Sequence, residues 1–353
     1  MPANWTASYA RTTPQTTPIE SALFQVWQGN ETRWPMLRRQ VVEEDLGQHP
    51  DARLALLLGE ETLRHQPPGP ERAAFDRYLC RVGCEAIEAG SFSVADGIAP
   101  LVRHFLARPA TDLAHAYADV LLDLLLPRLQ QELRTPQVKL SLADGLTGAL
   151  ASLGAILDRI DGERIGIYGS GIRALIEQYV RSLQGWQLPV DADQDQHTMF
   201  PRVISRPDMI WETATQNGWA YGDVGQALFL ARASRWLHQP ALATWATRIA
   251  MYTVFRRMAG NLTVSESGIR NGQAGLLLLY WQLYQLTDEP ELKREADYWQ
   301  QQLTVSIPAL EAAPQPDHSL LDGLLGIYGA LRAVDEGDLP LQSLLFDLEG
   351  PYA

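Results

Sequence analysis

Apolar residues recur at helical spacing over residues 241–258 and 276–302, and the surrounding segments are rich in Leu, Ala, Gln, Glu and Arg, all good helix formers. Alternating Val/Ile/Thr runs bounded by paired turn signals are scarce, so the pattern predicts an all-α chain. Proline clusters such as Pro67-Pro68 and Pro314-Gln315-Pro316 fall between periodic stretches, where they can end helices.

A glycine-centred segment repeats along the chain. Three copies read Ala95-Asp96-Gly97, Ala143-Asp144-Gly145 and Leu321-Asp322-Gly323, each followed by an apolar stretch; two cousins read Tyr221-Gly222-Asp223-Val224-Gly225 and Asn271-Gly272-Gln273-Ala274-Gly275. The first glycines, Gly97, Gly145, Gly222, Gly272 and Gly323, are spaced by 48, 77, 50 and 51 residues, and Gly47 marks a weaker first copy. A period of about 50 residues fits a pair of helices with their connections, and such hairpins need neighbours to bury their faces. The expectation is therefore a ring of helical hairpins, with the five glycines at one rim and six or seven inner helices surrounded by outer ones. The long interval predicts an inserted loop over 187–210, rich in Asp and Pro, and residues 1–45 read as an N-terminal helical segment. Residues 1–353 are expected to form a single domain.

Composition narrows the function classes. Of the 353 residues 46% are hydrophobic and 20% charged, enough to bury a core. A net charge of −13 argues against non-specific nucleic-acid binding and against an anionic membrane surface. No run approaches the length of a spanning helix, and the opening MPANWTASYA has neither a cationic start nor an apolar core, so a cytoplasmic location is expected. Cys80 and Cys84 lie one turn apart and read as buried structural thiols. Gly169-Ser170-Gly171 imitates a dinucleotide fingerprint, but no strand precedes it.

Gly218-Trp219-Ala220-Tyr221-Gly222-Asp223-Val224-Gly225 resembles the W-C-Y-G-x-x-G motif of the lanthionine synthetase C-like (LanC-like) family, and Arg270-Asn271-Gly272-Gln273-Ala274-Gly275 resembles its C-H-G-x-A-G motif. Phe200-Pro201 is similar to an aromatic-Pro element before the first motif, and Ser319-Leu320-Leu321-Asp322-Gly323 looks like the final repeat of the family. The resemblance runs from about Ser91 to Ala333 and implies an α/α toroid. It also implies peptide chemistry, in which a cysteine thiol of a precursor peptide adds to a dehydroalanine or dehydrobutyrine on a zinc ion held by two Cys and one His.

The sequence departs from that pattern where the metal would sit. Ala220 and Arg270 stand at the Cys positions and Asn271 at the His position; none is a usual zinc ligand, so no cofactor is expected. Asp144 stands at the histidine assigned to proton transfer, Gln216 at an arginine before the first motif, and Ser93 at an acidic position. The candidate catalytic residues are Arg270, Asp144 and Tyr221, and the candidate peptide-binding residues are Trp219, Asn271, Asp223, Gln216 and His197. Arg270 could stabilise a thiolate or enolate, or it could pair with Asp144 or Asp223 across the ring mouth. Asp144 could act as a base or serve as a helix-start acid, as Asp96 and Asp322 would.

Three functions fit these residues. The first is binding of a dehydrated precursor peptide with zinc-independent thioether cyclisation. The second is a non-catalytic scaffold or pseudoenzyme partnered with a peptide dehydratase or a second cyclase. The third is a helical-barrel glycosidase using two carboxylates among Asp96, Asp144, Asp223 and Asp322.

Overall fold

A computed structural model describes residues 18–27, 34–48, 50–63, 71–108, 113–157, 165–190, 197–205, 210–212, 217–262, 264, 266–336 and 345. Thirteen α-helices account for most of them: α1 (Pro18–Trp27), α2 (Trp34–Glu44), α3 (Pro50–Thr62), α4 (Arg72–Glu88), α5 (Ile98–Leu106), α6 (Ala114–Glu132), α7 (Leu146–Leu157), α8 (Ser170–Trp186), α9 (Asp223–Trp236), α10 (Pro240–Met258), α11 (Gln273–Thr287), α12 (Pro290–Glu311) and α13 (Leu324–Glu336). The periodic stretch 276–302 is two helices, because Asp288 turns left-handed at φ 57° and Pro290 starts the next helix.

Helices α1, α3, α5, α7, α9, α11 and α13 form the inner layer. Each from α3 onward packs beside the next, and α1 lies against α3. They are buried almost all round: every residue of α5 and α7 is buried, as expected of helices walled on both sides. Helices α4, α6, α8, α10 and α12 lie outside them and bury one face, as α8 does through Ile172, Ile176, Tyr179, Val180 and Leu183. Ring closure comes from α1. The Leu320 amide donates to Glu20 at 3.1 Å, and the Arg332 guanidinium donates to the Trp27 carbonyl at 3.0 Å. This α-helical toroid bears out the fold expected from the repeat. The N-terminal helix, which carries no glycine motif, supplies the seventh inner position.

The recurring G-x-x-G has a steric cause. A Cβ on Gly148, Gly275 or Gly326 would collide with the carbonyl oxygen of Leu142, Ile269 or Leu320 respectively, on the chain entering the same helix. The incoming chain thus crosses the first helical turn at backbone contact, which sets the height of the rim.

Three short strands add what the helical pattern left out: β1 (Gln137–Lys139), β2 (Val203–Ser205) and β3 (Ile210–Glu212) pair antiparallel in the order β1-β2-β3. Two of them come from the long interval between repeats. No helix among the described residues is long and apolar enough to cross a membrane.

Candidate functional site

The rim loops before the inner helices are tied to one another by their backbones. The amides of Val94 and Ala95 donate to the Ala143 carbonyl, both at 3.0 Å. Ser141 bridges Tyr221. The Ala220 amide donates to the Arg270 carbonyl at 2.7 Å, and the Ile269 and Arg270 amides donate to the Leu321 carbonyl at 2.7 and 3.0 Å. Consecutive repeats therefore present corresponding residues side by side, with Gly97, Gly145, Gly222, Gly272 and Gly323 all at the inner-helix starts on this rim.

This ladder brings together the three positions that matter most in the family comparison. Gly218 packs so closely that a Cβ there would lie 2.9 Å from the Asn271 Cα, and Ala220 is bonded to Arg270. Ala220 is buried and offers only a methyl. Arg270 Nη1 lies 3.9 Å from Asp144 Oδ1, and Arg270 Nε lies 3.4 Å from Asp322 Oδ2. Asn271 is half-buried. A methyl, a guanidinium paired with two carboxylates and a carboxamide do not fit a zinc ion: two positions offer no lone pair to a metal, and the permanent cation would repel it. The two cysteines stand elsewhere, on the outer helix α4, where burial pushes the Cys80 thiol up to about 12.

Asp144 and Arg270 meet as the sequence suggested, and Asp322, not Asp223, is the second acid. Asp144 is half-exposed, and its amide donates to Ser141 Oγ at 2.9 Å, the same turn that ties Asp96 to Ser93. Partial burial pushes the Asp144 carboxyl above the usual range; the Arg270 charge opposes this, Asp96 adds to it, and Lys139 and Arg202 oppose it more weakly. Tyr221 is half-buried beside Ala220, with the Arg202 guanidinium over its ring at 4.0 Å.

Two expected peptide contacts are corrected. Asp223 is fully buried and accepts hydrogen bonds from the Met199 amide (3.0 Å), the Phe200 amide (2.9 Å) and Arg256 (3.2 Å). The reason is register: Asp96, Asp144 and Asp322 precede their glycine and face the mouth, whereas Asp223 follows Gly222 and enters the helix layer. Burial pushes its carboxyl up to about 6 despite these bonds. Trp219 is likewise fully buried and packs behind the rim. His197 is half-buried at the start of the strap 197–205. Gln216 lies outside the described residues. The acid set at the mouth thus reduces to Asp96, Asp144 and Asp322.

Sequence reasoning missed Arg202, whose strap has no helical period; the one signal was its place directly after the singled-out Phe200-Pro201.

Comparison with known proteins agrees with this geometry. The family model described as lanthionine synthetase C-like protein matches residues 128–327. Among solved structures, "Nisin cyclase" is similar with a TM-score of 0.64 at 15% identity, over 83% of this chain and 78% of that one, a likeness of fold. None of the curated proteins matches. Because the family match covers more than half of the residues and falls on the repeats that build the rim, the chain belongs to the lanthionine synthetase C-like family.

Proposed function

We propose that this protein binds a dehydrated precursor peptide at the ring mouth and assists thioether formation without a metal. The observation that carries the reading is the meeting of Arg270 and Asp144 from two different repeats at 3.9 Å, beside Ala220 and Asn271. Asp144 accepts the proton of a peptide cysteine. The thiolate sulfur bonds to the β-carbon of a dehydroalanine or dehydrobutyrine, and the electron pair moves onto the carbonyl oxygen. Arg270 stabilises that enolate, and Asp144 returns the proton to the α-carbon. A carboxyl held above the usual range is a stronger base toward a thiol, which helps the first transfer. Holding thiol and alkene together supplies the rest, since the addition is intrinsically feasible.

A scaffold reading has one observation in its favour: Arg270 already pairs with two carboxylates, which dilutes the charge it can offer a thiolate. Incubation with a synthetic Cys- and dehydroalanine-containing peptide, followed by thiol alkylation and mass spectrometry, separates the two. The cyclase reading expects thiol loss faster than in buffer, slowed by about tenfold or more in Asp144→Asn. Peptide binding with thiol loss no faster than in buffer would leave the scaffold.

A further inference from the structure

The position directly after the rim glycine is Ile98, Leu146, Asp223, Gln273 and Leu324 in successive repeats. An acid there is therefore no requirement of the toroid; it belongs to the repeat that follows the strap 197–205. A buried carboxylate is costly to desolvate, so its partners carry the reason for its presence. Asp223 is fully buried and accepts from the Met199 amide at 3.0 Å, the Phe200 amide at 2.9 Å and Arg256 at 3.2 Å. It ties the strap to the first turn of α9 and to the last turn of α10.

The strap runs from this anchor to the mouth. Phe200 is buried and packs at a tilt on Trp245 of α10, with ring centroids 6.2 Å apart. The Leu188 amide donates to the Met199 carbonyl at 2.8 Å, and the Leu140 amide donates to the Arg202 carbonyl at 2.9 Å. Arg202 stands only three positions after Met199, and its guanidinium carbon lies 4.0 Å from the centre of the Tyr221 ring. Its charge is also among those that oppose the upward shift of the Asp144 carboxyl. The place of the strap thus reaches two of the three groups expected to act on the peptide.

We propose that Asp223 is a positioning residue of the mouth: from inside the helix layer, its carboxylate holds the strap where Arg202 covers Tyr221 and faces Asp144. Asp223 itself touches no peptide. It acts through two backbone amides and the few residues after them, a path too short to absorb a displacement. A misplacement of about 1 Å at a reacting centre can cost about a hundredfold in rate, so an anchor remote from the chemistry still sets it. The inference rests on the thioether reading above.

The test follows thiol loss from the Cys- and dehydroalanine-containing peptide well below each protein's melting temperature, together with hydrogen exchange of residues 197–205. In Asp223→Asn the strap amides are expected to exchange faster. The maximal rate falls by about tenfold or more, while the half-saturating peptide concentration moves by less than about twofold. Adding Arg202→Gln to Asp223→Asn lowers the rate no further than the larger single effect, because both act along one path, whereas independent sites multiply. Phe200→Leu loosens the same strap with Asp223 intact and lowers the rate in the same direction, which keeps the inference exposed if Asp223→Asn fails to fold. An unchanged maximal rate or unchanged strap exchange in the folded variants, or multiplied effects in the double variant, makes Asp223 a packing residue only. Any of these overturns the inference and leaves thioether formation standing. A wild type no faster than buffer defeats the functional reading, and this inference with it.

Discussion

Two clusters of charged residues in the toroid are built differently. Between the layers near the N-terminus, Arg38 bonds Glu60 at 2.7 Å and Glu71 at 3.0 Å, Arg108 bonds Asp76 at 2.6 Å, and His104 meets Glu61 at 3.1 Å. Glu60 also accepts from the Trp34 indole at 2.6 Å and is fully buried. At the mouth, Arg270 stands 3.4 and 3.9 Å from its acids, and its side chain is 27% exposed. The short dry pairs lock helix to helix, and breaking one leaves a charge stranded. The long wet pairs hold little energy and can open to admit a ligand. The same residue types thus do structural work in one place and stay exchangeable in the other.

The largest effect should come from the buried side. Glu60→Gln takes the buried carboxylate from Arg38 and leaves it only Glu71, and a loss of about 3 kcal/mol is expected in urea unfolding. A loss under about 1 kcal/mol would erase the contrast. Within that pair, Arg38 overcomes the desolvation of Glu60 and holds it below the usual carboxylate range, so its contribution persists at neutral pH and is lost as acid reaches that depressed value.

Asp223 is buried with the opposite outcome, and it gives the next effect. Its carboxyl is raised to about 6, so its contribution is fully present below the unfolded value near 3.8 and is lost as pH rises through 6. The wild type should therefore gain stability relative to Asp223→Asn as pH falls from 7 to 4, by up to about 3 kcal/mol. Parallel melting-temperature profiles for the two proteins across that window would show that Asp223 does not titrate there.

The smallest effect on stability belongs to the mouth. Arg270→Ala should shift the urea midpoint by an amount equivalent to under about 1 kcal/mol, as for other exposed pairs. Arg270→Lys should fold normally and still impair peptide handling, because the planar fork is gone. A loss of several kcal/mol in Arg270→Ala would make the mouth a second structural lock and remove the distinction between the regions.

What could be read from sequence follows from where each constraint is local. The G-x-x-G repeats were legible because the chain crosses its own helix within a few residues, as at Leu142 and Gly148, and that crossing tolerates no side chain. The convergence of Asp144 and Arg270 was legible from matched repeat positions. Asp223 was misjudged by register: it follows its glycine where Asp144 precedes its own, two positions apart, which moves the side chain from mouth to core. Arg202 and the role of α1 were out of reach because both depend on contacts between distant segments without a motif, Arg202 with Tyr221 and Glu20 with Leu320.

The seam between α1 and the last repeat also bears on how the chain is made. Its bonds join Glu20 to Leu320 and Trp27 to Arg332, separations of 300 and 305 residues. During synthesis, α1 can dock on α3 early, but its other flank has no partner until residue 332 has left the ribosome. At about 5–20 residues per second that wait is on the order of fifteen seconds to a minute. Through that time the nascent toroid is an open arc with an apolar edge exposed at each end, and an arc of this kind is open to pairing with a second arc before it closes on itself. A helper that shields α1 during translation would raise the yield of closed rings without altering the finished fold.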